Sequence, residues 1–184
     1  MATKHAAPQS RRPAELGFSL LEAAVVVAIV AIVGASALPS FAALIDSRRL
    51  DSAATRLAAD LQLARSEAIA RNRALRLSVV TGADATCWIV HTGAATDCSC
   101  SAAGIACANG ALAIQSVVLP SAERVAVAGN VASIVFDPLH GTSTPTGTLS
   151  LSDVRGRAVR HVVNVLGRVR SCSPSGAVAG YAPC

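Results

Sequence analysis

The chain has 184 residues, 52% of them hydrophobic and 3% aromatic, with 16 Lys and Arg against 11 Asp and Glu for a net charge of +5. That length allows one globular domain beyond a membrane segment, and four scattered histidines, His5, His91, His140 and His161, excuse no catalytic reading. With no nucleophile elbow, metal-ligand cluster or phosphate-cradling glycine loop, the chain reads as a non-enzyme without cofactor or metal.

Residues 1–17 carry Lys4, Arg11 and Arg12 and end at Gly17; an apolar run then extends from Phe18 to Leu38. No small-residue cleavage site follows an apolar core, so the segment does not read as a secretory signal peptide and stays on the chain. As a helix, residues 18–38 span about 31 Å, close to one hydrocarbon thickness. The basic side should remain cytoplasmic and send the remainder across the inner membrane. Glu22 interrupts this run. A carboxylate there costs roughly 2.5–3.5 kcal/mol on insertion scales and should have a partner, yet the run contains no cation. An ordinary signal anchor that tolerates Glu22 is the plainer alternative, and it leaves Gly17 and Glu22 unexplained.

Pro39 ends the apolar run and should kink or locally melt the helix. Beyond it, Leu50, Ala54, Leu57, Leu61, Ala64 and Ala68 recur at three- and four-residue steps, with Arg49, Asp51, Arg56, Asp60, Arg65 and Glu67 on other faces. This predicts an amphipathic helix half over residues 39–72. Arg71, Arg73 and Arg76 follow as partners for the helix C-terminal dipole.

Residues 73–184 read as a β-rich domain. Strands are predicted at Leu75–Val79, Cys87–His91, Leu112–Leu119, Val131–Phe136, Thr148–Leu151 and Ala158–Val165, with loops at Ala94–Gly110 and Pro138–Gly147. His161 is expected to be a satisfied strand residue, and Asp137 and Asp153 turn residues. Cys87, Cys98, Cys100, Cys107, Cys172 and Cys184 all follow the apolar run. An exported domain favours disulfides over zinc for the first four, whose spacing lacks a C-x-x-C pair. Their connectivity stays open, whereas Cys172 and Cys184 form the natural tail pair.

Positive charge concentrates near the C-terminus. Residues 1–17 hold three of the 16 basic and one of the 11 acidic side chains, which leaves 13 against 10 from Phe18 onward. Arg155, Arg157, Arg160, Arg168 and Arg170 lie in one stretch with no acidic residue between them, the electrostatic footprint of a protein that touches phosphates. In an extended Gly167-Arg168-Val169-Arg170, both guanidinium groups point to one side. A solvated turn, or a contact to another subunit, is the plainer alternative. Closing the tail through Cys172 and Cys184 would contribute roughly 3 kcal/mol.

Gly17-Phe18-Ser19-Leu20-Leu21-Glu22, with the basic leader and the long apolar run, resembles the leader and cleavage site of type IV pilins and the pseudopilins of type II secretion. The resemblance implies cleavage by a prepilin peptidase between Gly17 and Phe18 and N-methylation of Phe18. It also gives Glu22 a partner for assembly, the Phe18 ammonium of a neighbouring subunit. The implied fold is α+β: one long N-terminal helix packed on small antiparallel sheets, as in the GspH and FimT branch. The Gly167–Arg170 motif before a cysteine-closed tail is similar to that of FimT minor pilins. It implies sequence-independent binding of double-stranded DNA by Arg168 and Arg170, with Gly167 as the structural element and Arg155, Arg157 and Arg160 as further candidates. The implied partners are DNA, other major and minor pilins, the prepilin peptidase and the inner membrane. The implied location is a single-pass inner-membrane protein with a periplasmic domain, later built into an extracellular pilus that supports natural transformation. A GspH-type pseudopilin of the type II secretion system is the alternative.

Overall fold

A computed structural model of the protein describes residues 18–184, apart from the side chains of residues 36–40. The expected leader, including Gly17, lies outside the described residues. Ser19 caps α1 (Leu20–Ala70): its Oγ accepts the Glu22 N–H at 3.2 Å and its carbonyl accepts the Ala23 N–H at 3.1 Å. Glu22 thereby occupies the third position of a Ser-x-x-Glu start, where the helix dipole favours a carboxylate. This local reason for an acidic residue adds to the assembly argument.

Helical structure continues across Pro39, so the expected melting does not occur, and α1 ends at Ala70 rather than near Asn72. Loss of one backbone donor is tolerated when the turns on both sides persist. Among the described residues, no helix is long and apolar enough to cross a membrane. The expected span reaches Leu38, beyond Ala35, the last side chain described in that half. The chain divides into two compact units between Phe41 and Ala42. In the first, the large apolar side chains from Phe18 to Val33 are exposed.

The second unit has its own core. Leu50, Ala54, Leu57, Leu61, Ala64 and Ala68, the stripe predicted by periodicity, are all fully buried. Burying each leucine contributes roughly 1.5–3 kcal/mol. The strands of this unit are β1 Leu75–Thr81, β2 Ala85–His91, β3 Cys98–Ser101, β4 Gly104–Cys107, β5 Ala113–Pro120, β6 Val125–Gly129, β7 Ser133–Phe136, β8 Ser143–Thr144, β9 Gly147–Asp153, β10 Ala158–Val163 and β11 Val169–Cys172. They form a five-stranded sheet in the order β5-β2-β1-β7-β8, a four-stranded sheet in the order β11-β10-β9-β6, and the hairpin β3-β4. All pairings between these strands are antiparallel.

The structure departs from the sequence reading in four places. The loop expected at Ala94–Gly110 contains the β3-β4 hairpin, closed by the disulfides Cys87–Cys100 and Cys98–Cys107. Its Ser, Gly, Ala and Cys lack the β-branched signal, and the cross-links supply the order instead. The loop expected at Pro138–Gly147 contains the short β8, and β6 has no counterpart among the predicted strands. Asp60, placed on a polar helix face, is buried and accepts the Trp88 indole N–H at 2.7 Å. A lone polar partner inside the core satisfies both groups.

Candidate nucleic-acid interface

Strand alternation sets the site. In β10, Val159, His161 and Val163 are buried, while Arg160 and Val162 face outward. Asn164 then closes the hairpin: its N–H donates to the Arg168 carbonyl at 3.1 Å and its Oδ1 accepts the Arg168 N–H at 2.9 Å. The Gly167 N–H donates to the Asn164 carbonyl at 2.8 Å. Gly167 has φ +69°, and a Cβ there would lie 2.6 Å from the Gly141 carbonyl oxygen. Glycine is therefore required twice, for the left-handed backbone and for the close approach.

Beyond the turn, Arg168 and Arg170 are exposed and Val169 is half-buried. Arg168 immediately precedes the edge strand β11 and Arg170 lies within it, the two exposed positions flanking Val169. The register pairs Val162 with Arg170 and Arg160 with Cys172, which puts Arg170 and Arg160 on the same outer sheet face. Among the described residues, none of these three arginines has a carboxylate partner.

Between β11 and α1 lies a cleft of about 880 Å³. Gln62, Arg65 and Ser66 line it from α1, and Asn164, Arg168 and Arg170 from the β10–β11 turn and β11. The Arg65 Nε donates to the Gly141 carbonyl at 2.9 Å. Among the described residues, no Asp or Glu lines the cleft. Arg65 is the residue that sequence reasoning missed. It counted as one of several charges on a helix face, and nothing local announced that Gly141 and Gly167 would converge on it.

Arg155 and Arg157 are disposed differently. Arg155 pairs with the buried carboxylate of Asp46 at 3.2 Å, and Arg124 reaches the same group at 3.4 Å. Arg157 binds the buried Asp153 carboxylate through Nη2 at 2.6 Å and Nε at 2.7 Å. The stretch from Arg155 to Arg170 is thus divided, two of its five arginines being held by carboxylates, one distant (Asp46) and one at the same turn (Asp153). The cluster assigned to the helix dipole also changes: α1 has no basic residue in its last turn. Arg71 pairs with Glu67, and Arg76 on β1 binds the Ser133 Oγ at 2.6 Å.

The tail is fastened at several points. Cys172 and Cys184 are bonded, as expected, and Val178 is buried in the main core. The Tyr181 hydroxyl donates to Asp51 Oδ1 at 3.2 Å, and burial pushes the phenol pKa up. The other four cysteines are also paired, which excludes them as zinc ligands in this state, and among the described residues no His, Cys, Asp and Glu group could hold a metal ion.

His91 is fully satisfied, between Ser78 Oγ at 2.8 Å and the Thr92 carbonyl at 2.9 Å. His161 is only half satisfied, contrary to expectation. Its Nδ1 meets Ser171 Oγ at 2.8 Å, but its buried Nε2 has no hydrogen-bond partner among the described residues. Packing against α1 brings the ring inside, where the Ala54 backbone favours the charged form too weakly to offset burial. Burial lowers the imidazole pKa from 6.5 to about 4.

Residues 53–167 match the family described as type II transport protein GspH. The chain belongs to the GspH family. This bears out the pilin-like resemblance and the α+β fold, a helix followed by antiparallel sheets. Two crystal forms of the type IV minor pilin FimU of Pseudomonas aeruginosa PAO1 are similar to this GspH-family chain at 22% and 21% identity, each with a TM-score of 0.47. The alignments cover 67% and 66% of this chain and 87% and 91% of FimU. No curated protein matches the chain. The family match ends at Gly167 and so excludes Arg168 and Arg170.

Proposed function

We propose that this GspH-family chain is a minor pilin of a type IV pilus that binds double-stranded DNA through Arg168 and Arg170 and supports DNA uptake. The observation that carries the reading is the pair of exposed arginines at the start of an edge strand, with no carboxylate partner among the described residues. Contacts to phosphate give affinity without sequence information. Tyr181 is engaged by Asp51, so stacking on bases has little part. With about three to five phosphates neutralised, log affinity should fall against log salt with a slope of roughly −3 to −4.5.

The filament function requires processing and assembly. In this reading a prepilin peptidase cuts between Gly17 and Phe18, and the new Phe18 terminus is methylated. Residues 18–38 hold the subunit in the inner membrane before it joins other pilins. Glu22 pairs with the Phe18 ammonium of a neighbour. A Glu22→Ala chain should fold normally and fail to enter filaments; normal incorporation would contradict the pairing. The protein acts by binding and assembly rather than catalysis.

The test uses the whole chain in neutral detergent with a short random-sequence duplex. Arg168→Gln with Arg170→Gln should weaken binding and flatten the salt slope by about 1.8, two phosphate contacts at about 0.9 each. Equal binding by parent and double variant would sink the assignment of the arginines. No binding by the parent at low salt would sink the DNA function and favour the second reading, a structural pseudopilin of type II secretion, which the family description supports.

A further inference from the structure

We infer that the DNA backbone lies in the cleft between α1 and β11 with Arg65 as a third phosphate-binding residue, rather than across the outer sheet face that bears Arg160. This rests on the DNA-binding reading above and names the path of the ligand. Arg170 belongs to both surfaces: it lines the cleft, and its register puts it beside Arg160 on the sheet face. The question is which neighbour completes the site.

Arg65 is prepared for the role. Its Nε is held by the Gly141 carbonyl at 2.9 Å, whereas its two terminal nitrogens have no partner among the described residues. Gly141 and Gly167, at φ +61° and +69°, present bare backbone to it; a Cβ on either would come within 3.0–3.1 Å of Nε. The side chain is thus seated in a slot formed by two left-handed glycines, and a fork already held in place loses little rotamer freedom when it binds an anion. Among the described residues no carboxylate lines the cleft, and Gln62, Ser66 and Asn164 add uncharged polar groups. A concave surface lined by one sign of charge focuses the field that attracts a phosphate ridge. Arg160 instead stands between Ser150 and Cys172 on an open sheet.

The experiment compares single charge removals in the whole chain in neutral detergent, by duplex binding across a salt series, with circular dichroism as the check on folding. Arg65→Gln should weaken binding roughly tenfold and make the salt slope shallower by about 0.9. Arg65→Lys should keep the parent slope, because the charge remains although the bond to Gly141 is altered. Arg160→Gln should leave the slope unchanged. Gln62→Glu, on an exposed helix position, puts a negative charge into the cleft and should weaken binding by a similar factor; it decides the matter should Arg65→Gln not fold. Unchanged binding in Arg65→Gln or in Gln62→Glu overturns the inference, as does an Arg160→Gln effect as large as that of Arg65→Gln. Those outcomes leave the roles of Arg168 and Arg170 standing, whereas a parent that does not bind removes the DNA reading and this inference together.

Discussion

Arg155-Gly156-Arg157 and Arg168-Val169-Arg170 are near copies in sequence, each at a turn flanking β10, yet the fold uses them in opposite ways. In the first, carboxylates of Asp46 and Asp153, both buried, take up the charge and tie the β9–β10 turn to the rest of its unit. In the second, the arginines stand at the start of an edge strand beside a cleft that no acidic side chain lines among the described residues. An arginine cluster in a sequence is therefore a count of charges, not of available charges. What separates the two turns is Asp153 within the first and Asp46 of α1 packed against it.

The comparison breaks most sharply at Asp153. Its carboxylate accepts the Arg155 N–H at 3.0 Å, the Arg157 N–H at 2.9 Å, and both Arg157 side-chain bonds. Asp153→Ala should cost about 3–5 kcal/mol in chemical denaturation and leave the DNA affinity of the folded fraction as it was. A loss of affinity at equal folded concentration would put the first turn in the binding site.

His161 links the two turns, since it lies in β10 and meets Ser171 of β11. Because burial lowers its folded pKa from 6.5 to about 4, the unfolded chain takes up the proton first. Its contribution is complete above pH 6.5 and declines as pH falls toward 4, by roughly 3 kcal/mol in all. His161→Leu should flatten the stability profile across that window. An unchanged profile would assign the acid sensitivity to other groups.

Gly167→Ala strikes the second turn itself. The positive φ and the 2.6 Å approach to Gly141 oxygen predict a loss of about 1–3 kcal/mol in thermal or chemical melts, together with weaker DNA binding as Arg65 and Arg168 shift. The smallest expected effect on stability belongs to Arg170→Gln, within about 0.5 kcal/mol, because the residue is exposed and, among the described residues, has no carboxylate partner. A marked stability loss there would mean that the second turn is held by its arginine as the first is.

Much of the fold was legible because it follows from local periodicity. The helix stripe from Leu50 to Ala68 is wholly buried, and each strand predicted from alternation has a counterpart at nearly the same residues. The hairpin β3-β4 was hidden because two disulfides order a segment whose side chains carry little strand signal. At the site, the turn at Gly167 and the exposure of Arg168 and Arg170 on either side of a half-buried Val169 could be anticipated from glycine's freedom and the two-residue period of a strand. The pairing of Arg155 with Asp46 joins residues more than a hundred positions apart, and no local pattern encodes it.

By itself, then, the sequence determined the pilin-like order of elements, the helix face that enters the core and the residues able to carry charge, since these depend on side-chain chemistry and near-neighbour spacing. The tertiary structure alone decided which arginines remain available and that Arg65 joins Arg168 and Arg170 at one cleft. The reason is physical: a charge's availability depends on the carboxylates and carbonyls brought within a few ångströms of it, and long-range packing of α1 against the sheets chooses those neighbours.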